Sequence, residues 1–319
     1  MHLKAPKFWK ETGIFSYLLL PLSIIYYLSF NILKFLKREQ RVKIPTICVG
    51  NINIGGTGKT PISIKIRHLL KNDFNNIFIL LKGYKGKLNG PLLVNKSHTF
   101  TEVGDEAIIH YNYGTTCISK HKLKGARFCE QKGSDLIILD DGLQNKDLKK
   151  DFSILVVDSH YLFGNEMIFP AGPLRETLGS SLKRVDAIIQ IGDKNKKKKF
   201  RGKKIFYAKR KIITNKKIKK NLFAFSGLGN NDNFFEMLKQ DFNLVKYKGF
   251  PDHHHYKTDE LNKILEFAKN NKLSVVCTYK DYLKIPYKFH KKIICVFLDI
   301  QFEKEREFKN FLTSQLKKR

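Results

Sequence analysis

A strand-like run, Pro45-Thr46-Ile47-Cys48-Val49, leads into the stretch Asn53-Ile54-Gly55-Gly56-Thr57-Gly58-Lys59-Thr60, and a helical pattern follows to about Leu70. Strand, glycine loop ending in Gly-Lys-Thr, then helix is the order that lets backbone N–H groups converge on phosphate oxygens. The start of the helix adds its positive end, Lys59 a point charge, and Thr60 a hydroxyl suited to a Mg²⁺ ion. The strict pattern has glycine where this chain has Asn53, a residue that tolerates left-handed backbone better than most. Further on, Asp135-Leu136-Ile137-Ile138-Leu139-Asp140-Asp141-Gly142-Leu143-Gln144 reads as an apolar strand ending in paired carboxylates. In a parallel sheet the active site lies at the carboxyl ends of the strands, and an acid there can hold Mg²⁺ directly or through water.

Three other stretches carry weaker signals. Val103-Gly104-Asp105-Glu106-Ala107 opens a helix, where carboxylates also serve simply as caps for free N–H groups. Phe250-Pro251-Asp252-His253-His254-His255 is a loop. Three consecutive histidines cannot all face one metal, but one of them near an aspartate could deprotonate a hydroxyl. Gly172-Pro173-Leu174-Arg175-Glu176 offers an arginine for a phosphate and a glutamate for a metal, or is a surface turn.

The elements that must position these residues alternate. Apolar runs at Ile77–Leu81, Thr116–Ser119, Leu136–Asp140, Ile154–Asp158 and Ala187–Ile191 are separated mostly by helical patterns, around Asp105–Tyr113 and Lys122–Lys132. This predicts a largely parallel α/β sheet of the P-loop NTPase type with helices on both faces. After the lysine-rich Asp193–Lys204 and a connecting strand, a second α/β series begins. The expected division is an N-terminal segment 1–42, a nucleotide domain 43–215 and a smaller α/β domain 216–319. From Thr12 to Leu33 no residue is charged, while Lys4, Lys7 and Lys10 precede and Lys34, Lys37, Arg38, Arg41 and Lys43 follow. The run is about as long as the roughly 20 residues of a bilayer span. It lacks a small-residue cleavage site, which argues against a signal peptide. A span, an interfacial helix and a buried amphipathic helix remain, and membrane contact is the expectation. A fold that uses cytosolic ATP puts the basic segment after the run on the cytoplasmic side.

The 319 residues carry 60 Lys plus Arg against 29 Asp plus Glu, a net charge of +31, which favours phosphorylated or anionic partners. No zinc finger or RNA-binding motif accompanies that charge, so nucleic acid is not expected. The five cysteines form no C-x-x-C pair, and four of them lie in apolar runs, as small buried residues of a reducing compartment would.

Taken together and in order, Val49–Pro61, the Val-Gly-Asp-Glu-Ala stretch, Asp140–Gln144, Ala171–Glu176 and Phe250–His254 resemble the tetraacyldisaccharide 4'-kinases, the lipid A 4'-kinases of Gram-negative bacteria. The resemblance runs from the N-terminal helix to Thr278-Tyr279-Lys280-Asp281. It implies a kinase at the cytoplasmic face of the inner membrane that moves the γ-phosphate of ATP to the 4'-hydroxyl of a lipid disaccharide 1-phosphate, with no obligate protein partner. It further implies that Asn53–Thr60 cradle ATP, that Arg175 contacts phosphate, and that Thr60, Asp140, Asp141 and Glu176 surround Mg²⁺. Asp105 would pair with His253 as the base. Leu81-Lys82-Gly83-Tyr84 and Asn145 depart from the family pattern, and Lys82 lacks the bidentate geometry of an arginine. The rival is a phosphate-loop GTPase or ATPase switch. It wants a guanine-reading Asn-Lys-x-Asp, and Thr278–Asp281 has the right location but the wrong spacing. A non-catalytic basic protein would leave the loop and the aspartates without purpose.

Overall fold

The first strand, β1 (Thr46–Gly50), is buried along its whole length because it has a parallel neighbour on each side and helices above and below. Its side chains alternate between two cores. Ile47 and Val49 join one, Cys48 the other. The computed structural model describes residues 6–35, 38–195, 200, 202–229, 231–252 and 254–317.

Two units are present. Among the described residues, the larger comprises 6–210 together with 300–317, and the smaller is Lys211–Asp299. The larger unit begins with α1 (Ile14–Leu18) and α2 (Leu20–Phe35) ahead of β1. After β1 come α3 (Lys59–Leu70), β2 (Ile77–Leu81), the two-residue β3 (Leu92–Leu93), α4 (Phe100–Val103), α5 (Asp105–Tyr111), β4 (Thr116–Ile118) and α6 (Lys122–Gln131). Then follow β5 (Leu136–Asp140), β6 (Phe152–Asp158), α7 (Leu178–Arg184), β7 (Ala187–Ile191) and β8 (Lys204–Thr214). The strand order here is β8-β7-β6-β1-β5-β2-β4-β3, parallel except for β3. The chain leaves β1 past β5 toward β2 on one side, while β6, β7 and β8 lie on the other, so the strand order reverses at β1 and its carboxyl end opens on a topological switch point, where such sheets bind ligands.

The smaller unit contains β9 (Asn221–Ser226), α8 (Asn231–Asp241), β10 (Asn243–Gly249), α9 (Thr258–Asn270), β11 (Ser274–Thr278), α10 (Tyr279–Tyr282) and most of β12 (Ile294–Phe302). Its four strands are parallel in the order β10-β9-β11-β12, with α9 over one face and α8 over the other. The chain then forms α11 (Glu305–Lys317), which the sequence reading had placed within the smaller domain. Phe308, Leu312 and Leu316 of α11 instead share a core with Ile47 of β1 and Ile62 of α3. Residues 300–317 thus return to the larger unit.

At the N-terminus, Pro21 sits in the first turn of α2, where its missing N–H is tolerated, and separates α2 from α1. Ser16 and Ser23 are buried against the 165–171 segment. Ser23 Oγ donates to Ile168 O (2.9 Å) and accepts from Ala171 N (3.0 Å), and Asn165 Nδ2 donates to Ser16 Oγ (3.2 Å). The Trp9 indole donates to Pro170 O at 3.0 Å. The opposite side is apolar and open, with Ile14, Phe15, Leu18, Leu22, Ile25, Leu28 and Ile32 all exposed. That rules out the buried amphipathic helix. No helix among the described residues is long and apolar enough to cross a membrane.

Candidate active site

The phosphate loop starts where β1 ends at Gly50, and only glycine fits there, because a Cβ would lie 2.5 Å from Leu143 Cγ. Beyond it, Asn51 is buried and works locally. Its Nδ2 donates to Gly55 O (3.2 Å), and its Oδ1 accepts from Lys59 Nζ (3.3 Å). The loop ends at Gly58, whose φ of +90° forms the left-handed turn that starts α3 at Lys59. Asn53 does not use the left-handed backbone expected of it. Its side chain serves as a donor to Leu162 O (2.8 Å), which explains an amide at that position.

The Gly172–Glu176 stretch contributes backbone first. Pro173 O accepts from Ile54 N (2.8 Å), Arg175 N donates to Ile52 O (2.7 Å), and Leu174 forms an antiparallel bridge with Asn53. Since the same stretch follows the segment that grips Ser16 and Ser23, the N-terminal helices and the phosphate loop are held by one continuous run of chain.

Beneath the loop, Asp140 is fully buried at the end of β5, and its Oδ2 accepts from Thr60 Oγ1 (3.0 Å) and lies 2.7 Å from Nε2 of a buried histidine, His110. An ionised carboxylate only accepts, so His110 Nε2 carries the hydrogen. Burial works to raise the Asp140 pKa. The hydrogen bond and charge of His110, the charge of Lys59 and the Thr60 hydroxyl outweigh it and hold the carboxyl below its ordinary value. Asp140 Oδ1 is buried and has no hydrogen-bond partner among the described residues. That atom, beside the Thr60 hydroxyl, fits the oxygen donors a hard divalent cation takes. No group of three or more His, Cys, Asp or Glu that could hold a metal occurs among the described residues, so substrate oxygens or water would complete any shell.

Asp141 turns left-handed (φ 57°), and its carboxylate is held between the two cations expected on phosphate. Both oxygens lie 3.2 Å from Arg175 Nη1, and Lys59 Nζ is 3.7 Å away. Arg175 also donates to Gln144 Oε1 (3.3 Å). Glu176, expected at the metal, has both oxygens engaged. Gln144 Nε2 donates to Oε1 (3.2 Å), and Arg184 is hydrogen-bonded to Oε2.

Asp105 is buried as the first residue of α5, preceded by Gly104 in a positive-φ conformation. Its expected partner His253 lies outside the described residues. In the smaller unit the neighbouring turn is braced. Lys280 Nζ meets Asp252 Oδ1 at 3.1 Å, His254 Nε2 meets Glu260 at 2.9 Å, and the His254 ring stacks on Phe250. Asp281 is fully buried, taking the Gly227 amide (3.1 Å) and the Thr278 hydroxyl (2.6 Å). An aspartate so engaged is not presented to a guanine base, a second reason against the GTPase reading.

His110, Asn51, Gln144 and Arg184 were missed as functional candidates in the sequence. His110 alone left a signal, a polar residue in the periodic inner face of α5 with Ala107 one turn earlier.

The family model described as Tetraacyldisaccharide-1-P 4'-kinase matches residues 15–317. The chain is 38% identical over 302 residues to the tetraacyldisaccharide 4'-kinase of Rickettsia canadensis, covering 93% of this chain and 92% of that protein. With the Rickettsia typhi protein of the same name the identity is 38% over 304 residues, covering 93% of each. The fold is similar to the crystal structure of LpxK from Aquifex aeolicus in complex with ATP, with a TM-score of 0.78, 27% identity, and coverage of 95% of this chain and 100% of that one.

Proposed function

The chain belongs to the tetraacyldisaccharide-1-phosphate 4'-kinase family, and we propose how its own residues carry that family's reaction. The enzyme is an ATP-dependent lipid A 4'-kinase, transferring the γ-phosphate of ATP to the 4'-hydroxyl of a tetraacyl disaccharide 1-phosphate. The observation that carries the residue assignment is the Lys59–Thr60–Asp140 constellation at the carboxyl ends of β1 and β5.

In this reading the amides of Asn53–Thr60 and the start of α3 receive the ATP phosphates, and Lys59 and Arg175 exchange Asp141 for phosphate oxygens when nucleotide enters. Thr60 and Asp140 would hold Mg²⁺, a reading supported by Asp140 Oδ1, which has no partner among the described residues. When bound, the ion neutralises charge on the β- and γ-phosphates. Asp105 accepts the proton of the 4'-hydroxyl as the sugar oxygen bonds to the γ-phosphorus. The bond from that phosphorus to the β–γ bridging oxygen breaks, and ADP leaves with the electron pair. Glu176 orients Gln144 and Arg184, and would reach the ion only by releasing them.

The open apolar side of α1 and α2 lies in the headgroup and acyl boundary at the cytoplasmic face of the inner membrane, where the acylated substrate resides. Lys7, Lys10, Arg38, Arg41 and Lys43 flank it and meet anionic headgroups.

A mixed-micelle assay with γ-labelled ATP and tetraacyl disaccharide 1-phosphate tests the reading. Label is expected in the lipid with the wild-type enzyme and lost with Lys59→Ala. Label appearing only as inorganic phosphate, whatever lipid is present, would favour the switch NTPase.

A further inference from the structure

We propose that His110 is a positioning residue of the kinase site, holding Asp140 so that a single carboxylate oxygen, Oδ1, is left for a divalent cation. The inference rests on the reading of Thr60 and Asp140 as cation ligands.

Three observations carry it. First, the His110 ring is wholly buried on the inner side of α5 and gives its Nε2 hydrogen to Asp140 Oδ2 at 2.7 Å, the same oxygen that accepts from Thr60 Oγ1 at 3.0 Å. Two donors on one oxygen fix the carboxylate plane and leave the other oxygen buried and without a partner among the described residues. Second, His110 Nδ1 is itself buried with no hydrogen-bond partner among the described residues. A histidine kept only for packing would be better replaced by an apolar side chain, since a buried polar atom left unpaired costs stability. The bond through Nε2 is therefore the contribution that an apolar residue could not make. Third, α5 carries Asp105 at its first residue and His110 in its last turn. One rigid helix thereby ties the candidate base to the carboxylate at the end of β5. Outer-shell groups of this kind orient metal-ligating carboxylates and tune their affinity.

The test compares the full-length wild-type protein with His110→Ala and His110→Gln, the latter keeping an N–H donor. Equilibrium binding of ATP is measured in EDTA, and binding of Mn²⁺ to the ATP-loaded protein is followed by electron paramagnetic resonance. His110→Ala is expected to bind ATP in EDTA as the wild type does, while its Mn²⁺ affinity falls about 10–100-fold. His110→Gln recovers most of that loss, and the Mg²⁺ concentration for half-maximal turnover rises in parallel while kcat at saturating Mg²⁺ is largely kept. Unchanged Mn²⁺ affinity in a folded His110→Ala protein overturns the proposal. So does an equal loss of ATP affinity in EDTA, which is what a merely structural role would give. If His110→Ala does not fold, the histidine ¹⁵N spectrum of the wild-type protein decides. The His110 signals must show a bare Nδ1 and broaden when Mn²⁺ joins the ATP complex, and signals that ignore Mn²⁺ overturn the proposal. Thr60→Ala and Asp140→Asn proteins that keep wild-type Mn²⁺ affinity would instead refute the cation reading beneath it.

Discussion

Replacing Arg184 with Met separates two roles for Glu176. The Glu176 side chain is 1% exposed and that of Arg184 28%, so the substitution leaves a buried carboxylate whose remaining hydrogen-bond partner among the described residues is the Gln144 amide. Breaking a buried ion pair by removing one partner costs about 3–5 kcal/mol. The partial exposure of Arg184 lets water reach the gap and brings the cost below that range, to roughly 2–3 kcal/mol. Loss of the Arg184 Nη1 bond to Leu143 O (2.8 Å) adds about 1 kcal/mol. A total near 3–4 kcal/mol corresponds to a fall in Tm of roughly 6–15 °C. In the Glu176→Gln/Arg184→Met double variant the carboxylate charge is gone, so most of that fall should be recovered. Thermal unfolding of the four proteins of the cycle supplies the measurement, with Mn²⁺ binding alongside. A brace predicts that Glu176→Gln keeps Mn²⁺ affinity and that the double variant is more stable than Arg184→Met. Equal Tm values for single and double variants, or a Glu176→Gln protein that loses Mn²⁺, would refute the reasoning.

Two further outcomes are expected. Leu22→Asp with Ile25→Asp puts charge on the open side of α2, and cosedimentation with anionic vesicles should fall at least about tenfold while ATP affinity in solution is unchanged. Lys122 is buried, and desolvation lowers its pKa from 10.5 to about 8. Below pH 8 it is charged in both states, and the fold bears the whole cost of burying that charge. As pH rises from about 8 to 10.5 the folded state releases its proton first, so the unfolded state binds more protons and stability rises with pH. Lys122→Met should therefore be more stable than wild type at pH 7, with a gap that narrows by pH 10. Parallel urea midpoints across that window would contradict the assignment.

The loop and the paired aspartates were legible because their chemistry is written in neighbouring residues. Gly58, Lys59 and Thr60 must be adjacent to turn a strand into an anion-binding helix start. The sequence shows His110 on the inner face of its helix but not its role, because that depends on Asp140, thirty residues away and joined through the β4–β2–β5 pairing and the packing of α5. Gly172–Glu176 was recognised for its charged side chains. Its backbone grip on Ile52 and Ile54 has no side-chain signature. The serines of the N-terminal run weakened its reading as a span, and in the fold they are the polar seam that docks it. The pattern of α11 identifies an amphipathic helix but not the sheet it covers, since Phe308 meets Phe206 and Phe302 only after the intervening unit is complete.

That return of α11 sets an order of events during synthesis. Lys211–Asp299 is one uninterrupted segment with its own two cores, and every residue of those cores is made before α11 begins. The nucleotide-binding body cannot be finished then, because Phe308, Leu312 and Leu316 belong to the same core as Ile47, Ile62 and Phe152. At about 5–20 residues per second, the strands made first wait on the order of tens of seconds for the helix made last. Through that interval Phe152 and Phe206 lack the aromatic rings of Phe308 and Phe311 that later cover them. The half-made kinase thus leaves apolar surface of the body translated first uncovered for longer than that of the segment translated after it.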